Sequence, residues 1–305
     1  MLDVGVESVI APGRSMVPQW ASELAPCPVE SRSVILTGGV AASVQHTHGN
    51  GVAMVTAVVP GASRLEAEGL RRAAADVFTL VLEGLRESPC PYPVRMWNFV
   101  PAIHGRMGEG IDRYRVFNQG RFDAFSRWWA GPSTFSRVLP AASAVGHMGD
   151  QLIVCGLGST QPGLPAENPR QVPAFGYSTA HGPRPPCFAR ATVARLPAGA
   201  RLLVSGTASI RGEDSVHSGS LPAQLDETFI NIERLLASVT GPRGERFSID
   251  GVESARVYFV RETDRAWLAA AVSARLPATA GIEFFPALVC REELLVEIEA
   301  VVVPA

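Results

Sequence analysis

The sequence predicts an α+β protein built from two similar domains, each a mixed β-sheet with helices packed on one face. Three observations carry that prediction. The order β-β-α-β-α-β-β occurs twice along the chain, each half contains one long segment of helical periodicity, and apolar residues make up 47% of the 305 positions, enough for two cores.

The elements follow in order. SVILTGGVAASV, from Ser33, is a β-rich stretch broken by a glycine turn. A helix is predicted over 66–88, where Leu70, Ala74, Val77, Val81 and Leu85 recur at spacings of three and four and so share one face. VRMWNFVP, from Val94, is the next strand, RFDAFSRWWA over 121–130 a second helix, and DQLIVCGLG, from Asp150, ends the closing pair of strands. The second half repeats this: RLLVSGTASI from Arg201, a helix over 222–239 with Leu225, Phe229, Ile232, Leu236 and Val239 on one face, SARVYFVR from Ser254, a helix over 264–274, and EELLVEIEA from Glu292. Residues 1–157 and 188–305 are therefore read as the two domains. The intervening 158–187 holds seven prolines and no periodic segment, and is read as a junction lining an interdomain cleft.

Charge narrows the function. The chain has 27 basic and 29 acidic residues, a formal charge of -2, and no block of like charge, which argues against a nucleic-acid or membrane-surface partner. It contains no lysine, so every basic side chain is arginine. Schiff-base chemistry, pyridoxal phosphate attachment and a P-loop lysine are excluded, whereas bidentate binding of carboxylates remains open. Five widely spaced cysteines, Cys27, Cys90, Cys155, Cys187 and Cys290, form no C-x-x-C pair and suit free thiols in a reducing compartment. With no signal-peptide pattern at the N-terminus and no apolar run of about 20 residues, a cytoplasmic location is expected.

Several motifs read blandly. His46 and His48 form an H-x-H pair beside Asn50-Gly51, taken as a polar turn, and no metal site is expected. His217-Ser218-Gly219 lacks a nucleophile-elbow pattern, and GLGSTQPG, from Gly156, is not a dinucleotide fingerprint. The arginines say more. Arg113, Arg115 and Arg121 stand within DRYRVFNQGR among Tyr114, Phe117 and Asn118, and Arg184 lies in the proline-rich junction, a grouping suited to a small dianion with a hydrophobic ring.

The repeat also serves as an internal control. Laying EELLVEIEA over DQLIVCGLG sets Glu297 against Cys155 and Glu299 against Leu157. Carboxylates present in one half only are what specialisation of a single site would leave, and strand alternation puts both on one face with Leu295 and Val301.

RMWNFVPAIH, YRVFNQGR, GPRPPCFARA, SGTASIRGEDSVHSG and CREELLVEIEA together resemble the chorismatase family, over roughly residues 95–304. QLDETFINIERLL and LLVEIEA also resemble the reactive-intermediate deaminases of YjgF type, whose fold chorismatases carry twice. EFFPALV lacks the arginine of the deaminase pattern, which argues against deaminase activity. The resemblance implies chorismate as substrate, loss of pyruvate, and neither metal nor organic cofactor. It places the catalytic acid on Glu297 and not Glu299, and makes Arg115, Arg121, Arg184, Tyr177, Gly206 and Cys290 the candidate substrate-binding residues. Protonating an enol ether requires a carboxylic acid whose pKa burial has raised. Gly206 and Cys290, where a hydrolytic branch tends to carry alanine, resemble the branch that forms 3-hydroxybenzoate; a branch that also forms 4-hydroxybenzoate is not separated by these positions. Oligomeric state is not legible.

Overall fold

A computed structural model describes residues 16–25 and 30–305; Cys27 and residues 1–15 lie outside the described residues. The first half comprises α1 (Gln19–Leu24), β1 (Glu30–Ile35), β2 (Ala41–Gly49), β3 (Val52–Val59), α2 (Ala67–Glu87), β4 (Tyr92–Pro101), α3 (Arg113–Trp128), α4 (Phe135–Val138), β5 (Ala141–His147) and β6 (Leu152–Ser159). The second comprises β7 (Leu164–Ala166), β8 (Ala191–Leu196), β9 (Gly199–Thr207), the short pair β10 (Ile210–Arg211) and β11 (Asp214–Ser215), α5 (Leu221–Ser238), β12 (Val252–Phe259), α6 (Arg265–Ser273), β13 (Gly281–Pro286) and β14 (Val296–Val302).

Each half forms a six-stranded sheet, and the strand orders correspond one to one: β1-β2-β3-β6-β4-β5 and β7-β8-β9-β14-β12-β13. In both, a single parallel pair, β4 with β5 and β12 with β13, makes an otherwise antiparallel sheet mixed. The register bears out the sequence overlay of the halves. Cys155 of β6 stands opposite Trp97, and Glu297 of β14 stands opposite Tyr258.

The long helices fall within a residue of their predicted bounds because their stripes are core. Leu70, Ala74, Val77, Val81 and Leu85 of α2 are all fully buried against the first sheet. Each large aliphatic side chain so placed contributes roughly 1.5–3 kcal/mol. The second helix of the first half starts eight residues earlier than periodicity suggested, at Arg113 rather than 121. Asp112 caps it by accepting a hydrogen bond from the Arg115 amide at 2.8 Å, so much of the arginine-rich string is helical rather than loop. Gly120 is required where α3 crosses α2, since a Cβ there would lie 2.2 Å from the Arg71 carbonyl oxygen. The junction is also less irregular than expected: it opens on the end of β6 and contains β7, which pairs with β8. The H-x-H pair sits on β2, with Asn50 and Gly51 forming the turn beyond it.

The helix-free faces of the two sheets meet. Trp97, Phe99, Cys155, Tyr258, Phe285 and Val301 form a shared core there, with the Trp20 ring of α1 packed at a tilt 5.8 Å from that of Trp97 at its margin. Arg256 fastens α1 by donating to the Met16 and Val17 carbonyls at 2.7 and 2.8 Å. Along β14, Val296, Ile298 and Val302 face the α5/α6 core, so Glu297 and Glu299 point into the seam between the halves. No helix among the described residues is long and apolar enough to cross a membrane.

Candidate active site

The seam is stitched by β5 on one side and the segments flanking β9 and β14 on the other. Gly146 and Leu288 exchange backbone hydrogen bonds at 2.7 and 3.1 Å, and the Ala142 amide donates to Ser205 Oγ at 2.9 Å. A cavity of about 460 Å³ opens at this seam. Ala142, Ser143 and Ala144 of β5 wall it from the first half, Gly206 and Glu297 from the second, and Tyr177 and His181 of the junction from the side.

Glu297 is the chemically distinctive group. It is 4% exposed, and its Oε1 has no hydrogen-bond partner among the described residues. Burial, reinforced by the neighbouring Glu299 carboxylate and opposed by Arg95 and Arg190, pushes its pKa up to about 8. At neutral pH it is a carboxylic acid facing a cavity. Glu299, two residues along the same strand, is equally buried but fully engaged. It accepts from Arg95 Nη2 at 2.7 Å, Trp97 Nε1 at 2.8 Å, Ser143 Oγ at 2.5 Å and the Tyr258 hydroxyl at 3.0 Å.

Arginines supply the opposite charge. Arg121 is 1% exposed, donates one hydrogen bond to Asn118 Oδ1 at 2.7 Å, and keeps a buried Nε without a partner among the described residues. Arg190 also has an unpartnered buried Nε, while its Nη2 holds the Tyr177 hydroxyl at 2.6 Å. Both guanidiniums lie over the Phe188 ring, at 5.8 and 5.1 Å. Arg106, Arg115 and Arg291 extend the cationic rim. Unspent donors beside an aromatic wall are what a carboxylate on an unsaturated ring would meet.

Cys290 lines the cavity beside Glu297, and desolvation, then the Glu297 charge, pushes its thiol up to about 12, so it is a neutral packing group. Desolvation likewise raises the hydroxyl of Tyr114, which lies against Cys290. The β10–β11 hairpin forms a flap: Ser215 accepts from Arg291 at 3.1 Å, and Glu213 accepts from the Ser178 amide and hydroxyl at 2.8 and 2.6 Å. Its root is held by Glu227, which binds Arg170 and, at 2.8 Å, Arg211.

Of the residues singled out in the sequence, Glu297, Arg115, Arg121, Tyr177, Gly206 and Cys290 are brought together around the cavity. Arg184 is not among its walls: the side chain is exposed and its guanidinium lies 4.8 Å from the Phe122 ring centroid. Arg113, grouped with the others in sequence, spends its guanidinium on the carbonyls of Ala62, Leu65 and Pro101. Arg190 and Ser143 were missed. Arg190 stands six residues beyond Arg184 in the same GPRPPCFARA string, and nothing local in that string separates a surface arginine from a buried one. Among the described residues no three His, Cys, Asp or Glu side chains gather as a metal-ligand set.

A family model described as "Chorismatase FkbO/Hyg5-like, N-terminal" matches residues 32–158. Over 235 residues the chain is 34% identical to a protein named chorismatase from Streptomyces hygroscopicus, a match that covers 75% of this chain and 67% of that protein. It is 33% identical over 242 residues to a 3-hydroxybenzoate synthase from the same species, covering 74% of this chain and 67% of that one. Among solved structures, a chorismatase crystal structure superposes with a TM-score of 0.74 at 29% identity, covering 89% of this chain and 79% of its own.

Proposed function

Because the chain belongs to the chorismatase family, we propose that it converts chorismate to 3-hydroxybenzoate and pyruvate, with Glu297 as the general acid. The observation that carries the reading is a carboxyl group kept protonated near neutrality, unpartnered, in a cavity rimmed by arginines. Arg121 and Arg190 supply the donors for the substrate carboxylates, with Arg115, Arg291 and Tyr177 at the rim.

The chemistry follows from those roles. Glu297 gives its proton to the enolpyruvyl methylene, which becomes the methyl group of pyruvate. The ring carbon–oxygen bond then breaks, its electrons forming the ketone of pyruvate, as the neighbouring ring hydroxyl attacks the carbon that is left. The proton lost by that hydroxyl restores the acid and leaves an epoxide across the two ring carbons; the oxygen's original carbon bond then breaks, that carbon gives up its hydrogen as a proton, the oxygen takes one up, and the aromatised ring is the phenol. Only groups of the chain are used. The hydrolytic outcome, a dihydroxycyclohexadiene carboxylate, requires water to add instead at the former enol-ether carbon, giving a hemiketal that releases pyruvate and leaves the ring oxygen in place, and Cys290 fills space that a smaller side chain would leave to that water.

Four free thiols among the described residues suit action in the cytoplasm. The test is direct: the purified protein is incubated with chorismate, pyruvate is followed by a coupled assay and the aromatic products are separated by chromatography. Equimolar pyruvate and 3-hydroxybenzoate are expected. Absence of pyruvate overturns the reading, and pyruvate accompanied by the dihydroxy acid assigns the hydrolytic branch instead.

A further inference from the structure

Glu299 plays no part in the chemistry above, yet more polar groups converge on it than on the acid itself. Trp97 and Arg95 are obligate donors. Ser143 Oγ accepts from Arg95 Nη2 at 2.6 Å and from the Gly206 amide at 3.0 Å, which directs its own proton to Glu299. Donors therefore surround this carboxylate, and the arrangement is complementary to the anion. Its cross-strand neighbour Arg256, which donates to Glu283 at 2.6 Å and to α1, adds a positive charge beside it, and Arg95 of the other half makes the direct ion pair at 2.7 Å. The negative charge is thereby fixed on the same face of β14 as Glu297, in a seam that excludes solvent.

We propose that Glu299 is a positioning residue for the reaction: an anion locked in place by Arg95, Trp97, Ser143 and Tyr258, whose field adds to burial in keeping the neighbouring Glu297 in its proton-bearing form. The inference rests on the reading of Glu297 as general acid. The other charged and titratable groups facing Glu297 are Arg95 from β4, Arg190 at the entry to β8, Cys290 from the loop before β14 and Tyr114 from α3. The two arginines favour its ionised form and oppose Glu299. Ser143, which bonds Glu299, and the Glu297 carboxyl both border Gly206: a Cβ there would lie 3.1 Å from Ser143 Oγ and 2.0 Å from Glu297 Oε1.

The experiment compares wild type, Glu299→Gln and the double variant Arg95→Met with Glu299→Gln. Pyruvate release is measured against pH, and the Glu297 carboxyl is titrated by infrared difference spectroscopy referenced to Glu297→Gln. Removing the anion while Arg95 remains lowers the Glu297 midpoint by about one pH unit or more, and the alkaline limb of kcat moves with it. The double variant, which removes both charges and keeps its folding in reserve should the single variant fail, falls between the single variant and wild type. A loss of packing alone lowers kcat without moving the midpoint. An unchanged midpoint in the folded variants overturns the role of Glu299. If the midpoint moves but Glu297→Gln still releases pyruvate at the wild-type rate, the assignment of the acid fails instead, and the two failures are distinct.

Discussion

The Glu297 carboxyl lies directly over Gly206: a Cβ at that glycine would sit 2.0 Å from Oε1 and 2.6 Å from the carboxyl carbon. The space that the missing methyl group leaves is thus occupied by the acid, not by substrate. Gly206→Ala is expected to push the carboxyl out of its seat and lower kcat by at least about tenfold, with little change in melting temperature because Gly206 is only half-buried. Steady-state pyruvate release checks it, and wild-type kcat would show that the carboxyl has another seat.

Cys290→Ala separates product choice from acid placement. It removes a sulfur beside Glu297 and Tyr114 without touching the acid's seat. Turnover is expected to persist while part of the flux shifts from 3-hydroxybenzoate to the dihydroxy acid, read by chromatography of the reaction mixture.

The clamps are tested by Arg121→Met and Arg190→Met. Each removes a charged donor worth roughly 1.5–3 kcal/mol to a carboxylate, so KM is expected to rise about tenfold or more. Arg184→Ala, outside the cavity, is expected to keep the wild-type KM. Parallel titrations of the three variants decide which arginines bind substrate.

Glu297 also marks stability. Its pKa stands near 4.5 when unperturbed and at about 8 in the folded chain, so between those values the folded form holds a proton that the unfolded form releases. The associated stability is fully present below pH about 4.5 and lost as pH rises toward about 8. Glu297→Gln is expected to flatten that decline by up to a few kcal/mol while abolishing pyruvate release. Denaturant melts across this pH range provide the check.

Glu227 behaves in the opposite sense. Burial works to raise its pKa, but hydrogen bonds from Arg211 and Arg170 outweigh burial and hold it below the ordinary value. Its contribution is present above the unfolded pKa and lost as pH falls through the folded one. Since Arg211 is largely exposed, Glu227→Gln is expected to cost only about 1–2 kcal/mol. Hydrogen exchange of residues 210–216 should quicken as the flap loosens.

How much of this was legible depended on distance along the chain. The helix stripes of α2 and α5 and the overlay of Glu297 on Cys155 are local patterns, and each was readable. Apolar periodicity alone begins the second helix at 121, whereas the Asp112 cap begins α3 at Arg113. The pairing of Glu299 with Arg95 spans 204 residues and two sheets, and no periodicity announces it. Arg121 and Arg184 looked alike because an arginine's neighbours in sequence do not say which side of a helix or loop will be covered by the other half.

Two halves with one strand order, joined in a single polypeptide, have a freedom that identical subunits lack. In an assembly of copies, a substitution that places a carboxylate at one interface places it at every symmetry-related interface, each needing its own countercharge. Here β6 keeps Cys155 and Leu157 where β14 has Glu297 and Glu299, so one seam is acidic while the corresponding position in the other half stays apolar. Covalent linkage permits a repeated scaffold to be lopsided, each half serving as the other's complement and not as its replica.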